Sequence, residues 1–210
     1  MTPVGGPVDP EVFDAVLAAA RQVDFDAPWA SMAPMILPIV KRVRHPYPPE
    51  AAPLHIHVPP GIWTGFGIDF GPAFSHVTAS MLERWEVDTA TLLATALDNL
   101  RRLIVDQPPH VQAFEFEGME LVGIQGTGWG SSLLLLPEAL RAILGPEPRL
   151  LLAPVRNTII AMPEDVDVDV AVGVWEAIAH GAHDELEVDP MRWTGTAVVA
   201  LADGSRGLPN

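Results

Sequence analysis

Hydrophobic positions along this chain repeat with two periods, and the places where the period changes mark out its elements. Asp9-Pro10-Glu11 supplies an N-cap, a first-turn proline and an acid suited to a helix dipole. Val12, Phe13, Val16, Leu17 and Ala20 follow at helical spacing, which predicts a first helix that docks one stripe. From Asp24 to Pro60 the chain is dense in proline, and only short extended pieces fit. Met35 to Val43 and Leu54 to Val58 are the candidate strands, with Pro38 confining the first to a sheet edge or a bulge.

Ile62 to Val77 alternates aromatic residues with glycine and reads as strand, turn and strand. Asp88 then caps the clearest helix, in which Leu92, Leu93, Ala96, Leu97, Leu100 and Ile104 share a face up to the Pro108-Pro109 stop. Val111 to Phe116 and Met119 to Gln125 read as paired strands around Gly118, and the apolar run Ser131 to Leu136 reads as a buried central strand. Pro137 to Leu144 forms a brief helix closed by Gly145, followed by strands at Leu150 to Val155 and Thr158 to Met162. Asp165, Asp167 and Asp169 precede a helix from about Val170 to Leu186.

The strands crowd the middle of the chain without the regular alternation of a doubly wound fold. The expectation is an α+β fold, with an antiparallel or mixed central sheet and helices packed mainly on one face. Residues 1–8 are expected to be disordered, 9–201 to form a single domain, and 202–210 to be a flexible tail.

One stretch carries a family likeness. Gly67-Ile-Asp69-Phe-Gly71, Ser75-His-Val77-Thr78, Leu82-Glu-Arg-Trp85-Glu-Val87 and Ala96-Leu97-Asp98-Asn99-Leu100 resemble an extended segment leading into a helix in the YtpQ-like proteins (DUF1444). Ser131 to Pro137 and Leu152-Ala-Pro154-Val-Arg156-Asn157-Thr-Ile-Ile resemble that family's short apolar strand and the segment after it, although Asn157 stands where the family has Asp. The resemblance spans roughly Met35 to Asp165. It implies a bacterial, cytosolic protein with an α+β fold, and it implies no activity.

Composition narrows the chemistry. With 49% apolar and 19% charged residues the chain is a globular protein, and 210 residues can bury roughly 70% of the surface exposed when unfolded. No run approaches the roughly 20 apolar residues of a membrane span, so no membrane partner is expected. The start, Met1-Thr2-Pro3-Val4-Gly5-Gly6, has no basic n-region and no apolar h-region, so the expected location is cytoplasmic. There is no cysteine, so a metal site would have to use His and carboxylate. Twelve Lys and Arg against 27 Asp and Glu give a formal charge of −15, which argues against nucleic acid as a partner.

Candidate chemistry lies in a few residues. His55 and His57 would share a strand face, and His180 and His183 a helix face beside Asp184 and Glu185, where a His₂-carboxylate site is conceivable but lacks the His-Glu-x-x-His arrangement. They are weak metal candidates, and no metal is expected. The clusters Gly65-Phe-Gly67-Ile-Asp-Phe-Gly71 and Gly126-Thr-Gly128-Trp-Gly130 lack both a following amphipathic helix and a P-loop lysine. No cofactor is expected, and these glycines read as turn or bulge positions inside a sheet. Ser131 and Ser132 lack the surroundings of a nucleophile elbow.

The binding candidates are Arg156, Asn157, Asp69 and Trp129. Arg156 and Asn157 interrupt two apolar strands in a chain poor in cations. Either they turn the chain, with Asn157 in a left-handed position, or Arg156 anchors an anionic group. A carboxylate such as Asp69, or one from the run Glu164 to Asp169, could answer the charge from within. Trp129 and Trp63 line a surface pocket or belong to the core. Two function classes remain: a non-catalytic binding or regulatory module that holds a protein partner at an apolar groove or sheet edge, and a hydrolase-type enzyme using His55, His57, Asp69, His180 and His183. Packing residues outnumber titratable clusters, which favours the first and makes an enzyme the lesser expectation.

Overall fold

The computed structural model describes residues 10–40, 52–58, 62–71, 74–180, 182, 186 and 188–201. The expected loose start at 1–8 and the tail at 202–210 lie outside the described residues. Antiparallel sheets and helices combine in an α+β fold, and contacts separate two compact units. The described residues of the first fall within 10–38, 52–56 and 65–100, and those of the second within 39–40, 57–64 and 101–201.

In the first unit, proline and small polar residues shape the entry. Helix α1 spans Pro10–Ala20, and the proline-dense stretch holds a short helix, α2 (Trp29–Met32), and a 3₁₀ turn at Ala33–Met35 besides the expected strands. Strands β1 (Ile36–Val40), β2 (His55–Val58) and β3 (Ile62–Asp69), of which residues 39–40, 57–58 and 62–64 are counted with the second unit, are ordered β1-β3-β2, so Pro38 sits on an outer strand as its missing N–H requires. Strand β4 (Phe74–His76) pairs antiparallel with β3 in the register Gly67 to His76.

Helix α3 (Ala79–Trp85) stands where an extended segment was expected. Its ends are local: the Thr78 hydroxyl accepts from Met81 N, and Glu86 closes it at φ 55°. Helix α4 (Thr89–Asp106) is the predicted amphipathic one, with Asp88 Oδ1 accepting from Thr91 N at 2.7 Å. That backbone donor holds the Asp88 carboxyl below its ordinary pKa.

Leu92, Ala96 and Leu100 are fully buried whereas Leu97 is half-buried at the margin of the stripe. The core of this unit joins Phe66 and Ile68 of β3, and Val77 just past β4, to Leu82, Trp85, Leu92 and Ala96. Polar ties fix its periphery. Asn99 Nδ2 donates to Ala33 O and Ile36 O, and Trp85 Nε1 donates to Ala27 O.

The second unit is built on a six-stranded antiparallel sheet ordered β10-β9-β7-β8-β6-β5. Its strands are β5 (His110–Phe116), β6 (Met119–Gln125), β7 (Arg149–Val155), β8 (Thr158–Pro163), β9 (Met191–Trp193) and β10 (Val198–Ala200). The β5–β6 hairpin turns on Glu117 and Gly118, at φ 50° and 80°, the left-handed pair a two-residue hairpin favours. Alternation along the strands gives the sheet two faces. On one, Leu121, Leu152, Ile160 and Met162 pack against Ala171 and Val174 of α6 (Val168–Ala179). On the other, Ile124, Leu151, Ile159 and Trp193 are buried, and Trp193 Nε1 donates to Gly145 O just beyond α5 (Pro137–Leu144).

Two expectations are corrected here. Ser131 to Leu136 is not a central strand: Gly130–Leu135 is a 3₁₀ segment whose residues are buried on nearly every side, so the run shows no period that could separate strand from helix. Helix α6 starts at its Asp167 cap, which accepts from Asp169 N at 2.8 Å, but ends at Ala179 and not near Leu186. Strands β9 and β10, three residues each, fall below the length at which alternation is readable.

Candidate functional site

The residues singled out by sequence fall into separate places. Asp69 ends β3, and its Oδ1 accepts from Gly71 N at 2.9 Å, so this carboxylate closes the turn into β4. His55 is half-buried, with Nδ1 2.8 Å from Pro53 O and its ring against Gly65, where an added Cβ would stand 3.1 Å from Nε2. His57 is exposed and lies 5.0 Å, centroid to centroid, from the half-exposed Trp63. His180 is exposed just past α6, so no helix carries the expected spacing to His183, which lies outside the described residues. Among the described residues no three His, Asp or Glu gather as a metal-ligand set.

The structure does bring Arg156, Asn157 and Trp129 together, through sheet register. Gln125 at the end of β6 stands opposite Thr158 at the start of β8, so the loop leaving β6 meets the turn that joins β7 to β8. That turn is Arg156-Asn157, as one of the two sequence readings had it, between paired Val155 and Thr158. Neither residue has a positive φ, which corrects the left-handed placement of Asn157. A register shift between Leu152 and Val155 lets the strands close on a right-handed turn.

Backbone hydrogen bonds lock the loop to the turn. Gly126 N donates to Asn157 O at 2.9 Å, and Ser131 N donates to Arg156 O at 3.0 Å. Asn157 Oδ1 accepts from the Thr158 hydroxyl at 2.9 Å, which orients its amide. Gly130 lies against the Asn157 peptide so closely that a Cβ there would overlap the carbonyl, with the carbonyl carbon 2.6 Å away. These glycines therefore serve a loop packed on a turn and do not sit inside the sheet. Gly128, at φ 72°, faces the guanidinium: a Cβ there would be 3.9 Å from Arg156 Nη2.

Trp129 is buried beneath this loop and does not line an open pocket; its six-membered ring covers Gly126. Its Nε1 meets no acceptor among the described residues, and neither does the hydroxyl of fully buried Ser131. Sequence reasoning passed over Ser131 because it was tested only as a nucleophile.

Chemically, segments 126–131 and 156–158 hold an indole N–H, hydroxyls, an amide and a guanidinium, and contain no Asp, Glu, His, Lys or Tyr. They can donate hydrogen bonds and present positive charge, and they supply no general base. Among the described residues no helix is long and apolar enough to cross a membrane. No family model matches the chain, and no curated protein or solved structure matches it either.

Proposed function

We propose that the protein is a non-catalytic binding module that engages a protein partner through the corner formed by the loop at 126–131 and the Arg156-Asn157 turn. The observation that supports this most directly is the composition of that corner: donors and one cation, locked by two backbone hydrogen bonds, with no base or nucleophile pair in the segments that build it. Rigid presentation of donors suits recognition, because little conformational freedom is lost on binding. A cytoplasmic setting, a bacterial origin and kinship with the YtpQ-like proteins belong to the same proposal, resting on the sequence features given above. The formal charge of −15 makes nucleic acid a poor partner in this reading.

The test is partner capture from a lysate of the native host with tagged wild-type protein and Arg156→Gln. The expected outcome is a partner retained by the first and lost from the second, with both proteins shown to be folded at the assay temperature by far-ultraviolet circular dichroism. A screen of model esters and phosphoesters is expected to show no turnover. Turnover that depends on Asp69, His55 or His57 would replace this reading with the hydrolase.

A further inference from the structure

The open edge of the six-stranded sheet lacks the usual protection. Strand β5 ends the order β10-β9-β7-β8-β6-β5, and among the described residues it pairs only with β6. It is seven residues long and keeps one uninterrupted register, from His110 opposite Gln125 to Phe116 opposite Met119. Natural edges are blunted by proline, lysine, a bulge or shortness, and β10 at the far end has only three residues. The sequence His-Val-Gln-Ala-Phe-Glu-Phe of β5 carries none of these devices. Val111, Gln112 and Ala113 are exposed, and Phe114 and Phe116 are half-buried.

The hairpin fixes which backbone groups face outward. Its two-residue turn, Glu117-Gly118, makes Phe116 and Met119 a hydrogen-bonded pair, so residues 110, 112, 114 and 116 bond to β6. The N–H and C=O groups of Val111, Ala113 and Glu115 therefore point away from it. We propose that β5 pairs antiparallel with β5 of a second copy of this chain, across a two-fold axis at Ala113. A two-fold axis normal to the sheet keeps each side chain on its own face, so odd-numbered residues must oppose odd-numbered ones. Only Ala113 opposite Ala113 engages the whole strand, with Val111 opposite Glu115 on both sides of the axis and about six new backbone hydrogen bonds. On the other face Phe114 meets Gln112 and Phe116 meets His110, which covers the half-buried rings. Charge favours the same register. The two Glu115 side chains stand about 13 Å apart along the strand, beyond the roughly 8 Å Debye length, whereas sliding Glu115 opposite Ala113 brings them to about 7 Å. A second copy fits because the strand is its own complement: no like charges oppose, and its smallest side chain lies on the axis.

A single edge strand offers far fewer than the roughly 20–30 residues a side of a standard interface, so the dimer should be weak, with Kd on the order of 10–100 µM. Sedimentation equilibrium of the full chain measures it. Val111→Lys and Ala113→Lys change the net charge equally, and the proposed register separates them. Val111→Lys sets an ammonium opposite Glu115 on both sides of the axis and should tighten the dimer about threefold, whereas Ala113→Lys sets two ammonium groups against each other and should weaken it about threefold. Both positions are exposed, and far-ultraviolet circular dichroism checks that each variant is folded. The chain has no cysteine, so Ala113→Cys places a thiol about 5.5 Å, Cα to Cα, from its twin, and Val111→Cys one about 13 Å from its own. A short thiol cross-linker should join the first into a covalent dimer and leave the second monomeric.

A chain that sediments as a monomer at about 1 mM overturns the proposal. So does a dimer that both lysine variants shift in the same direction, because that outcome reports net charge and not register. Cross-linking of Val111→Cys as readily as Ala113→Cys overturns it as well, since the copies would then meet elsewhere or in another alignment.

Discussion

Replacing Gly130 with alanine tests the junction on which the candidate site depends. The added methyl would overlap the Asn157 carbonyl, with its carbon 2.6 Å and its Cα 3.3 Å away, and the obstructing atoms are backbone, which cannot rotate aside. Relief requires the loop to move off the turn, an overpacking cost of about 1–3 kcal/mol. Movement also stretches the hydrogen bonds from Gly126 N to Asn157 O and from Ser131 N to Arg156 O, worth about 0.5–1.5 kcal/mol each. The expected loss is about 2–6 kcal/mol in urea unfolding followed by tryptophan fluorescence and far-ultraviolet circular dichroism. Gly128→Ala is the control. Its Cβ meets only Arg156 Nη2 at ordinary contact distance, so the penalty is the left-handed backbone alone, about 1–2 kcal/mol. A Gly130→Ala protein within about 0.5 kcal/mol of wild type would refute the packing of loop on turn.

Three further outcomes are expected. Leu100→Ala, at a fully buried position, should cost about 2–5 kcal/mol in urea melts, and half-buried Leu97→Ala clearly less; equal costs would mean the α4 stripe is rotated. Asp88→Ala should destabilise α4 at neutral pH. Because the folded carboxyl titrates below its unfolded value, its contribution is present above the unfolded pKa and lost as pH falls through the folded one, so the gap between wild type and Asp88→Ala should close in acid; a gap independent of pH would remove the charged cap. Ser131→Ala should leave thermal stability unchanged or raise it, since the hydroxyl it removes is buried without a partner among the described residues; a large drop in melting temperature would show that the hydroxyl is satisfied.

Much of the architecture was legible in the sequence wherever the determinant was local. The α4 stripe, its Asp88 cap and the proline stop are read from neighbours within a few turns, and the structure keeps them at Thr89–Asp106. The β5–β6 hairpin follows from alternation around a glycine, and β7 and β8 from apolar runs separated by two polar residues. The pairing of α+β elements with antiparallel sheets follows from the same local signals. Arg156, Asn157 and Trp129 were legible as unusual residues, because a cation and a glycine-flanked indole are rare among apolar strands in an acidic chain.

What brought them together was register. Only the alignment of Gln125 with Thr158 carries the loop after β6 onto the turn after β7, a long-range match that no local period encodes. Ser131 became part of the site for the same reason, and its run folded as 3₁₀ because burial on nearly every side erases the alternation from which a strand is recognised. Asp69 and His55 went elsewhere, one closing a turn and the other resting on Gly65, since their spacing in sequence carried no information about facing partners. Local chemistry therefore decided which elements form, and tertiary packing decided which donors share one corner, because burial and strand register depend on residues far apart along the chain.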